Sequence, residues 1–243
     1  MWCINHYFCL SVNSYMDNTS TPLLRVILTG ATGMVGEGVL HECLSAPEVQ
    51  QILLLNRKAS GIVHPKVKEV IHANLSDLSA IEDQLIGYNA CFFCLGISSV
   101  GISKEEYYKT TYELTMKVAT TLSRLNADMT FCYISGAGTN SSEKGGSNWS
   151  RVKGKTENEL KLLQFKQVYN FRPGMLETTP GLKNTVSLYK YIGWLIPILK
   201  VVYPKGVGSL RELGRGMIGA AAYGYPKQTL EVKDIRAAAN LKH

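Results

Sequence analysis

The sequence lacks several features that mark other classes of protein. Its Lys and Arg residues form no basic block with interleaved aromatic residues, so a net charge of +7 gives no reason to expect nucleic-acid binding. The six cysteines stand mostly in apolar runs and indicate a reducing compartment without a disulfide framework. Cys91 and Cys94 have CxxC spacing, but a strand-like run puts their thiols on opposite faces, so no metal or redox site is expected. We therefore expect a cytoplasmic protein whose basic surface suits an anionic cofactor.

The chain also has no uninterrupted apolar run of the roughly 20 residues that a membrane span needs. Its most apolar stretch, residues 188–200, contains Lys190, Pro197 and Lys200. This stretch is compatible with a buried lid, a homodimer face or a membrane-surface helix, in that order of preference. Residues 1–15 lack the pattern of a secretory signal, so we expect residues 1–22 to be a disordered leader or an upstream extension before a start at Met16.

What the sequence does contain is a glycine-rich turn after an apolar strand at residues 23–29. Gly30 would permit the tight turn, Gly33 would let a ligand approach the backbone, and Gly36 would let the next helix pack closely on the sheet. The first N–H groups of that helix would face a pyrophosphate, whereas the alternative is an ordinary glycine loop. The expected phosphate-binding residues are Gly30, Thr32, Gly33, Met34, Val35 and Gly36.

Downstream of this turn, short apolar runs alternate with helical segments. The predicted strands cover residues 51–56, 67–72, 90–95, 129–135 and 167–171, and the predicted helices cover residues 78–86, 104–125 and 148–163. Short apolar strands are typical of a parallel sheet buried on both faces. With 243 residues, of which 45% are hydrophobic, the chain predicts one α/β domain over residues 23–243, with a doubly wound parallel sheet of the Rossmann type and a small C-terminal lobe.

The end of the second strand predicts the cofactor. A carboxylate there, about 20 residues after the glycines, would bind the ribose 2′-hydroxyl of NAD. This chain has Asn56, Arg57 and Lys58 instead. Because a guanidinium can hold a 2′-phosphate through two hydrogen bonds, Arg57 and Lys58 favour NADP, with NAD as the weaker candidate and a solvent-facing basic turn as the alternative. After the third strand, Asn74 and Leu75 would lie beside the adenine.

Several short motifs together resemble the atypical short-chain dehydrogenase/reductase superfamily, in particular its Tat-interacting oxidoreductase-like branch, with nucleoside-diphosphate-sugar epimerases as more distant relatives. The motifs are Gly30–Gly36, Cys94-Leu95-Gly96, Ser135, Val152-Lys153-Gly154 and Arg172-Pro173-Gly174, and the resemblance covers residues 23–220. It implies that residues 175–215 form a lid or lobe on the substrate side. It further implies cofactor contacts from Leu95, Gly96, Lys153, Arg172, Pro173 and Gly174.

The resemblance also implies catalytic roles. In this superfamily a Ser binds the substrate carbonyl, a Tyr transfers the proton, and a Lys four residues later holds the nicotinamide ribose; Ser135 and Lys153 match the first and third roles. Trp149 stands at the tyrosine position, and an indole N–H does not ionise in the accessible range, so Trp149 cannot act as the acid or base. The substitute acids in the sequence are Tyr133, Tyr107 and Tyr108, of which Tyr133 fits the core better.

Each of these residues also has a structural interpretation. Lys153 could be a solvated helix lysine, Ser135 a turn serine and Trp149 a packing residue. Two functions therefore stay open. One is an NADP-dependent oxidoreductase or epimerase-like enzyme that acts on a small carbonyl or alcohol, with another group or water handling the proton. The other is a redox sensor or regulatory scaffold that keeps the cofactor pocket without turnover.

Overall fold

The computed structural model describes residues 23–184 and 206–241. The leader and the apolar stretch 188–200 lie outside these residues. The strands are β1 (Leu24–Thr29), β2 (Val49–Asn56), β3 (Val67–Ile71), β4 (Ala90–Phe93), β5 (Thr130–Ile134), β6 (Gln167–Arg172), β7 (Met175–Glu177), β8 (Val207–Ser209) and β9 (Thr229–Glu231). The helices are α1 (Met34–Ser45), α2 (Glu82–Leu85), α3 (Lys104–Tyr108), α4 (Leu114–Leu125), α5 (Asn148–Leu160), α6 (Leu210–Tyr223) and α7 (Val232–Ala239).

A parallel sheet of seven strands, in the order β3-β2-β1-β4-β5-β6-β9, forms the centre of the fold. Strand β1 pairs with β2 on one side and with β4 on the other. The first three strands are therefore added toward one edge of the sheet, and the strands from β4 onward are added toward the opposite edge. Ligands of doubly wound sheets bind beside such a reversal, at the carboxyl ends of the strands. The predicted Rossmann-type fold is therefore confirmed, and its topology selects one edge of the sheet as the place for a ligand.

Both faces of the sheet are buried, which explains the apolar strand sequences. One core lies against α1, α6 and α7 and includes Val39, Cys132 and Met217. The other lies against α2, α4 and α5 and includes Leu122 and Leu160. The two thiols of the CxxC segment point to these two different cores, as alternation along a strand requires.

The helices after β3 and β4 differ from the prediction. Instead of one helix over residues 78–86, a 3₁₀ turn at Ser79–Ile81 leads into the short α2, which ends before Gly87 at φ +87°. The predicted helix 104–125 is continuous, but a π-helical turn at Lys109–Glu113 separates α3 from α4. Strand β4 ends early because the N–H of Cys94 donates to Thr29 Oγ1, 3.2 Å away, instead of continuing the ladder.

The C-terminal lobe packs onto the domain through glycines. A Cβ atom on Gly38 of α1 would lie 2.9 Å from Leu210 Cβ of α6, and one on Gly219 of α6 would lie 2.1 Å from the Ala238 carbonyl oxygen of α7. Strand β9 then adds to β6, while β7 and β8 form a separate parallel pair beside the main sheet. The β7–β8 pair begins directly after β6, at the carboxyl edge of the main sheet. Within residues 23–184 and 206–241, no helix combines the length and apolarity that crossing a bilayer requires.

Candidate functional site

The glycine turn has the geometry that its sequence predicts. Gly30 has φ +73°, and a Cβ atom there would lie 2.8 Å from the Cys94 carbonyl oxygen. A Cβ atom on Gly36 would lie 2.0 Å from the Gly30 carbonyl oxygen, so α1 can approach the turn only through a glycine. Gly33 is the N-cap of α1 and offers no capping side chain, which leaves the first N–H groups, including those of Met34 and Val35, available to an anion.

A cavity of about 490 Å³ lies beside this turn, at the carboxyl ends of β1 to β4. Several residues of the predicted cofactor set line it: Gly30, Thr32, Arg57, Lys58, Leu75 and Leu95. Gly96 is exposed just beyond, with open space on its side-chain face. The side chain of Asn74 instead closes its own turn, because its Oδ1 accepts a hydrogen bond from the Ser76 N–H at 3.1 Å.

The two cations that line this cavity form no ion pair in the described ranges, whereas the neighbouring carboxylate, Glu69, accepts hydrogen bonds from the protein. Arg57 and Lys58 are exposed and form no ion pair with any residue in the described ranges. Glu69 of β3 accepts hydrogen bonds from Asn56 Nδ2 and from the Ser60 N–H, both at 2.9 Å. Burial raises the pKa of Glu69, but these hydrogen bonds outweigh it and lower the pKa overall. The Asn56 amide is thereby fixed by Glu69.

A second cavity, of about 650 Å³, lies at the same edge over β5, β6 and β9. The loop after β5, Trp149 at the start of α5, the segment Pro173–Gly174 and Met175 of β7 line it. A Cβ atom on Gly174 would lie 2.0 Å from the Gly206 carbonyl oxygen, so this glycine allows the lobe to approach β6 closely. The two cavities follow one another along the carboxyl edge of the sheet.

Ser135 lies buried directly after β5; it lines neither cavity, although the next residue, Gly136, lines the second one. Its Oγ is 2.9 Å from Thr139 Oγ1, and that hydroxyl donates to the Gly136 carbonyl oxygen at 2.8 Å. Since Thr139 uses its proton on the carbonyl, Ser135 is the donor to Thr139. To donate to a substrate carbonyl, the Ser135 hydroxyl must first break its hydrogen bond to Thr139. Thr139 was not predicted from the sequence, although a hydroxyl four residues after Ser135 in a glycine-rich turn was the available signal.

Lys153 reaches the same point from α5. Its Nζ donates to the carbonyl oxygens of Ile134 and Ser135, both at 3.1 Å, and lies 5.4 Å from the centroid of the Tyr133 ring. Burial lowers the pKa of Lys153 to about 8, although the charge of Glu157 partly opposes this shift. An ammonium has three protons to donate, so one remains beyond the two carbonyls. Lys153 is thus a fixed, half-buried amine and not a solvated surface lysine.

Trp149 is half-buried one helical turn before Lys153. Its six-membered ring lies against the loop after β5, where a Cβ atom on Gly138 would be 3.5 Å from Trp149 Cη2. The substitute tyrosines are poorly placed for proton transfer. Burial raises the pKa values of Tyr133 and Tyr107, and the Tyr108 ring packs against the Tyr112 ring at an angle of 37°, with ring centroids 4.8 Å apart.

Arg172 points into the protein. Its Nε donates to Glu157 Oε1 at 2.8 Å and its Nη1 to Glu231 Oε1 at 3.2 Å, while its Nη2 bonds both Glu157 and Ser141. The Glu157 side chain is fully buried, and Arg172 neutralises it. Arg172 thus joins α5, β6, β9 and the loop after β5. From the sequence, Arg172 was expected to contact the cofactor, and Glu157, which follows Lys153 by one helical turn, was overlooked.

The chain is similar to several known proteins. The model of the NAD dependent epimerase/dehydratase family matches residues 26–149. "Protein fmp52-1, mitochondrial" of Aspergillus terreus is 26% identical over 167 residues, which cover 65% of this chain and 68% of that protein. "Protein FMP52, mitochondrial" of Saccharomyces cerevisiae is 25% identical over 154 residues, which cover 62% of this chain and 64% of that protein.

Solved structures share the fold. The Bordetella bronchiseptica enzyme WbmF in complex with NAD+ superposes with a TM-score of 0.60 at 15% identity and covers 90% of this chain and 78% of that chain. A short chain dehydrogenase/reductase from Saccharomyces cerevisiae superposes with a TM-score of 0.63 at 14% identity and covers 89% of this chain and 98% of that chain. At these identities the likeness concerns the fold alone.

These comparisons correct one prediction and confirm another. The expected cytoplasmic location is wrong, because the fmp52 relatives are named as mitochondrial proteins. The physical reason is that buried, unpaired cysteines indicate a reducing environment without distinguishing one reducing compartment from another. The resemblance to short-chain dehydrogenases and epimerases is confirmed. Since the family model matches more than half of the sequence, the chain belongs to the NAD dependent epimerase/dehydratase family.

Proposed function

We propose that this protein binds NADPH along the carboxyl edge of its sheet and uses it on a small carbonyl or alcohol substrate. The observation that carries the proposal is the order of groups along that edge. Arg57 and Lys58 line one cavity without forming an ion pair in the described ranges, and the Gly30–Gly36 turn borders the same cavity. Lys153 lies at the other end, where it donates to the carbonyl of Ser135, the residue before Gly136 of the second cavity. NADPH has its groups in the same order: the 2′-phosphate at one end, the pyrophosphate in the middle and the nicotinamide ring at the other end.

The residues present fit this group. The face of Gly33 is open, because a Cβ atom there would lie 3.5 Å from its nearest neighbour, the Gly30 carbonyl oxygen, and the first N–H groups of α1 have no side-chain cap. These N–H groups would hold the pyrophosphate, and Arg57 and Lys58 would hold the 2′-phosphate. When bound, the nicotinamide supplies or accepts a hydride. Lys153, Pro173 and Gly174 would border its ring.

The chain must supply the proton without the usual tyrosine. The pKa of about 8 places Lys153 close to neutrality, where a general acid or base works best. We assign Lys153 as the group that donates the proton, directly or through one water molecule. Ser135 would polarise the carbonyl once its hydroxyl turns away from Thr139, 2.9 Å away. Trp149 would form a wall beside the reacting atoms.

One observation favours the second candidate, a cofactor-binding sensor without turnover. The Ser135 hydroxyl is already hydrogen-bonded to Thr139, which agrees with the expectation that Trp149 replaces the catalytic tyrosine. Loss of a positioned acid typically lowers a rate by about 10²–10⁴-fold. A protein with this site could keep full cofactor affinity while its turnover becomes negligible.

Cofactor binding is tested with Gly33→Val. The backbone of Gly33 is extended, at φ −98° and ψ 162°, so valine is conformationally allowed there while its methyl groups enter the ligand's path. We expect NADPH to bind to the wild type with enhanced cofactor fluorescence, and Gly33→Val to lose that binding with an unchanged melting temperature. If neither NADPH nor NADH binds to the wild type, both candidates fail. If NADPH binds but no carbonyl compound is reduced, the sensor is the function.

A further inference from the structure

We infer that the second cavity takes a neutral, apolar or aromatic carbonyl compound, and that it does not take a nucleoside-diphosphate sugar. The inference rests on the proposed function, because it concerns the substrate of the same site. It goes against the example of one solved neighbour, MoeE5, whose structure contains UDP-glucose and NAD. That neighbour is 13% identical to this chain, so its ligand does not transfer.

The walls of the cavity are mainly apolar. Trp149 provides an aromatic face, and Pro173, Met175, Val207 and Val232 provide aliphatic surface. Backbone of the loop after β5 completes the lining, and its glycines let that loop lie against the indole ring. Apolar and aromatic walls with few polar groups are typical of pockets for small organic ligands.

The charge next to the cavity is already neutralised. Among the lining residues within the described ranges, Glu231 alone carries a charge. It pairs with Arg172 Nη1 at 3.2 Å, and its carboxylate also caps α7 by accepting the Asp234 N–H. Every nitrogen of Arg172 is engaged, because Nε and Nη2 bond Glu157 and Ser141. Each of the three Arg172 nitrogens therefore already donates to a side chain of the protein.

These contacts oppose a diphosphate in two ways. A diphosphate needs cationic donors, preferably the paired donors of an arginine, and no Lys or Arg is among the described residues that line the cavity. Arg172 is already paired with two carboxylates, and Lys153 donates two of its three protons to backbone carbonyls. The start of α7 borders the cavity at Val232, and a helix N-terminus would attract an anion. Glu231 occupies that N-terminus with a negative charge instead. An anionic ligand would thus lose its hydration against apolar walls without gaining a cation or a free helix N-terminus, which is costly.

The test measures binding to the NADP+-saturated protein, so that the nucleotide cavity is filled and the carbonyl compounds cannot be reduced during the titration. Benzaldehyde and 4-phenyl-2-butanone represent apolar carbonyl compounds, and UDP and UDP-glucose represent the diphosphates. Saturation-transfer NMR gives each Kd. We expect saturable binding of the carbonyl compounds, and UDP and UDP-glucose to bind at least about tenfold more weakly, a difference of about 1.4 kcal/mol.

The matched variants are Met175→Arg and Leu162→Arg. Met175 lines the cavity, so an arginine there should weaken binding of the carbonyl compounds at least about tenfold. Leu162 is 81% exposed, and the same change there should leave binding unaltered. Met175→Leu, which preserves size and apolarity, should bind like the wild type and shows whether the position tolerates substitution.

The outcomes separate the inference from the proposed function. Tight UDP or UDP-glucose binding, or carbonyl binding that Met175→Arg does not weaken, overturns the inference while NADPH binding stands. Absence of saturable carbonyl binding to the NADP+ complex overturns it equally. If no nicotinamide cofactor binds, the proposed function fails, and the same titrations on the cofactor-free protein still determine which ligand class the cavity accepts.

Discussion

Substitution of Arg57 by Gln should remove most of the preference for NADPH over NADH. Arg57 is exposed at the end of β2, forms no ion pair in the described part of the chain and lines the cavity beside the glycine turn. The two cofactors differ only in the 2′-phosphate, so the ratio of their Kd values isolates the contacts to that group. Any effect of the substitution on the fold or on the pyrophosphate site changes both Kd values and cancels in the ratio.

The magnitude follows from the chemistry and the exposure. A hydrogen bond to a charged group contributes roughly 1.5–3 kcal/mol. Because Arg57 is exposed and water screens its charge, we take the lower end, about 1.5 kcal/mol, which is roughly a tenfold change in the Kd ratio. Salt should reduce the preference of the wild type, since the Debye length falls from about 10 Å at 0.1 M to about 3 Å at 1 M.

The assay is a fluorescence titration of both cofactors with wild type, Arg57→Gln and two controls. Lys58→Gln removes the neighbouring cation and should produce a smaller change in the same direction. Lys68→Gln removes an exposed charge of β3 outside this cavity and should leave the ratio unchanged. Equal affinities of the wild type for NADPH and NADH, or a ratio that Arg57→Gln does not alter, would refute the reasoning.

Three further predictions concern the other end of the site. Relative to Lys153→Met, the free energy of unfolding of the wild type should increase with pH between about 8 and 10.5. The reason is that in this range the lysine of the unfolded chain keeps a proton that the amine of the folded protein has released. Urea titrations at several pH values measure this difference. Trp149→Tyr should raise NADPH-dependent carbonyl reduction at least about tenfold in a steady-state absorbance assay, and adding Ser135→Ala should reverse the gain. Glu157→Gln should lower the free energy of unfolding in urea by about 3–5 kcal/mol while NADPH affinity is retained. Adding Arg172→Met should recover part of that loss. A free energy of unfolding that Glu157→Gln leaves unchanged would contradict the structural role of the pair.

The sheet and the glycine turn were predictable because their constraints are local. A parallel strand buried on both faces needs an apolar run, and β1, β2, β4, β5 and β6 all carry one. The turn needs a glycine where φ is positive and another where the helix meets the backbone, and Gly30 and Gly36 meet these needs within seven residues. Sequence alone therefore located the edge of the sheet at which a cofactor would bind.

The strand β9 and the partners of the polar site residues were not predictable in this way. Strand β9 is three residues long, and its pairing with β6 joins Thr229 to Asn170 across a large sequence separation. The direction of Arg172 depends on Glu157 and Glu231, which come from α5 and β9. Such contacts follow from tertiary packing, which periodicity does not encode. The residue types of the site were therefore predictable, whereas the hydrogen bonds that decide their roles were not.

These hydrogen bonds separate the two candidate functions at one residue. At the second cavity Trp149 has no ionisable proton, the Ser135 hydroxyl is committed to Thr139, and the pKa values of Tyr107 and Tyr133 are raised by burial. Lys153 has a pKa of about 8 and donates two hydrogen bonds, to the carbonyls of Ile134 and Ser135. It is therefore the group in the described part of the site that can exchange a proton near neutral pH. An enzyme built on this site must therefore slow when Lys153 becomes Met, even after NADPH is raised to saturation. A turnover that survives this change would require a proton donor from elsewhere, whereas a saturable NADPH site without turnover in both proteins would identify the sensor.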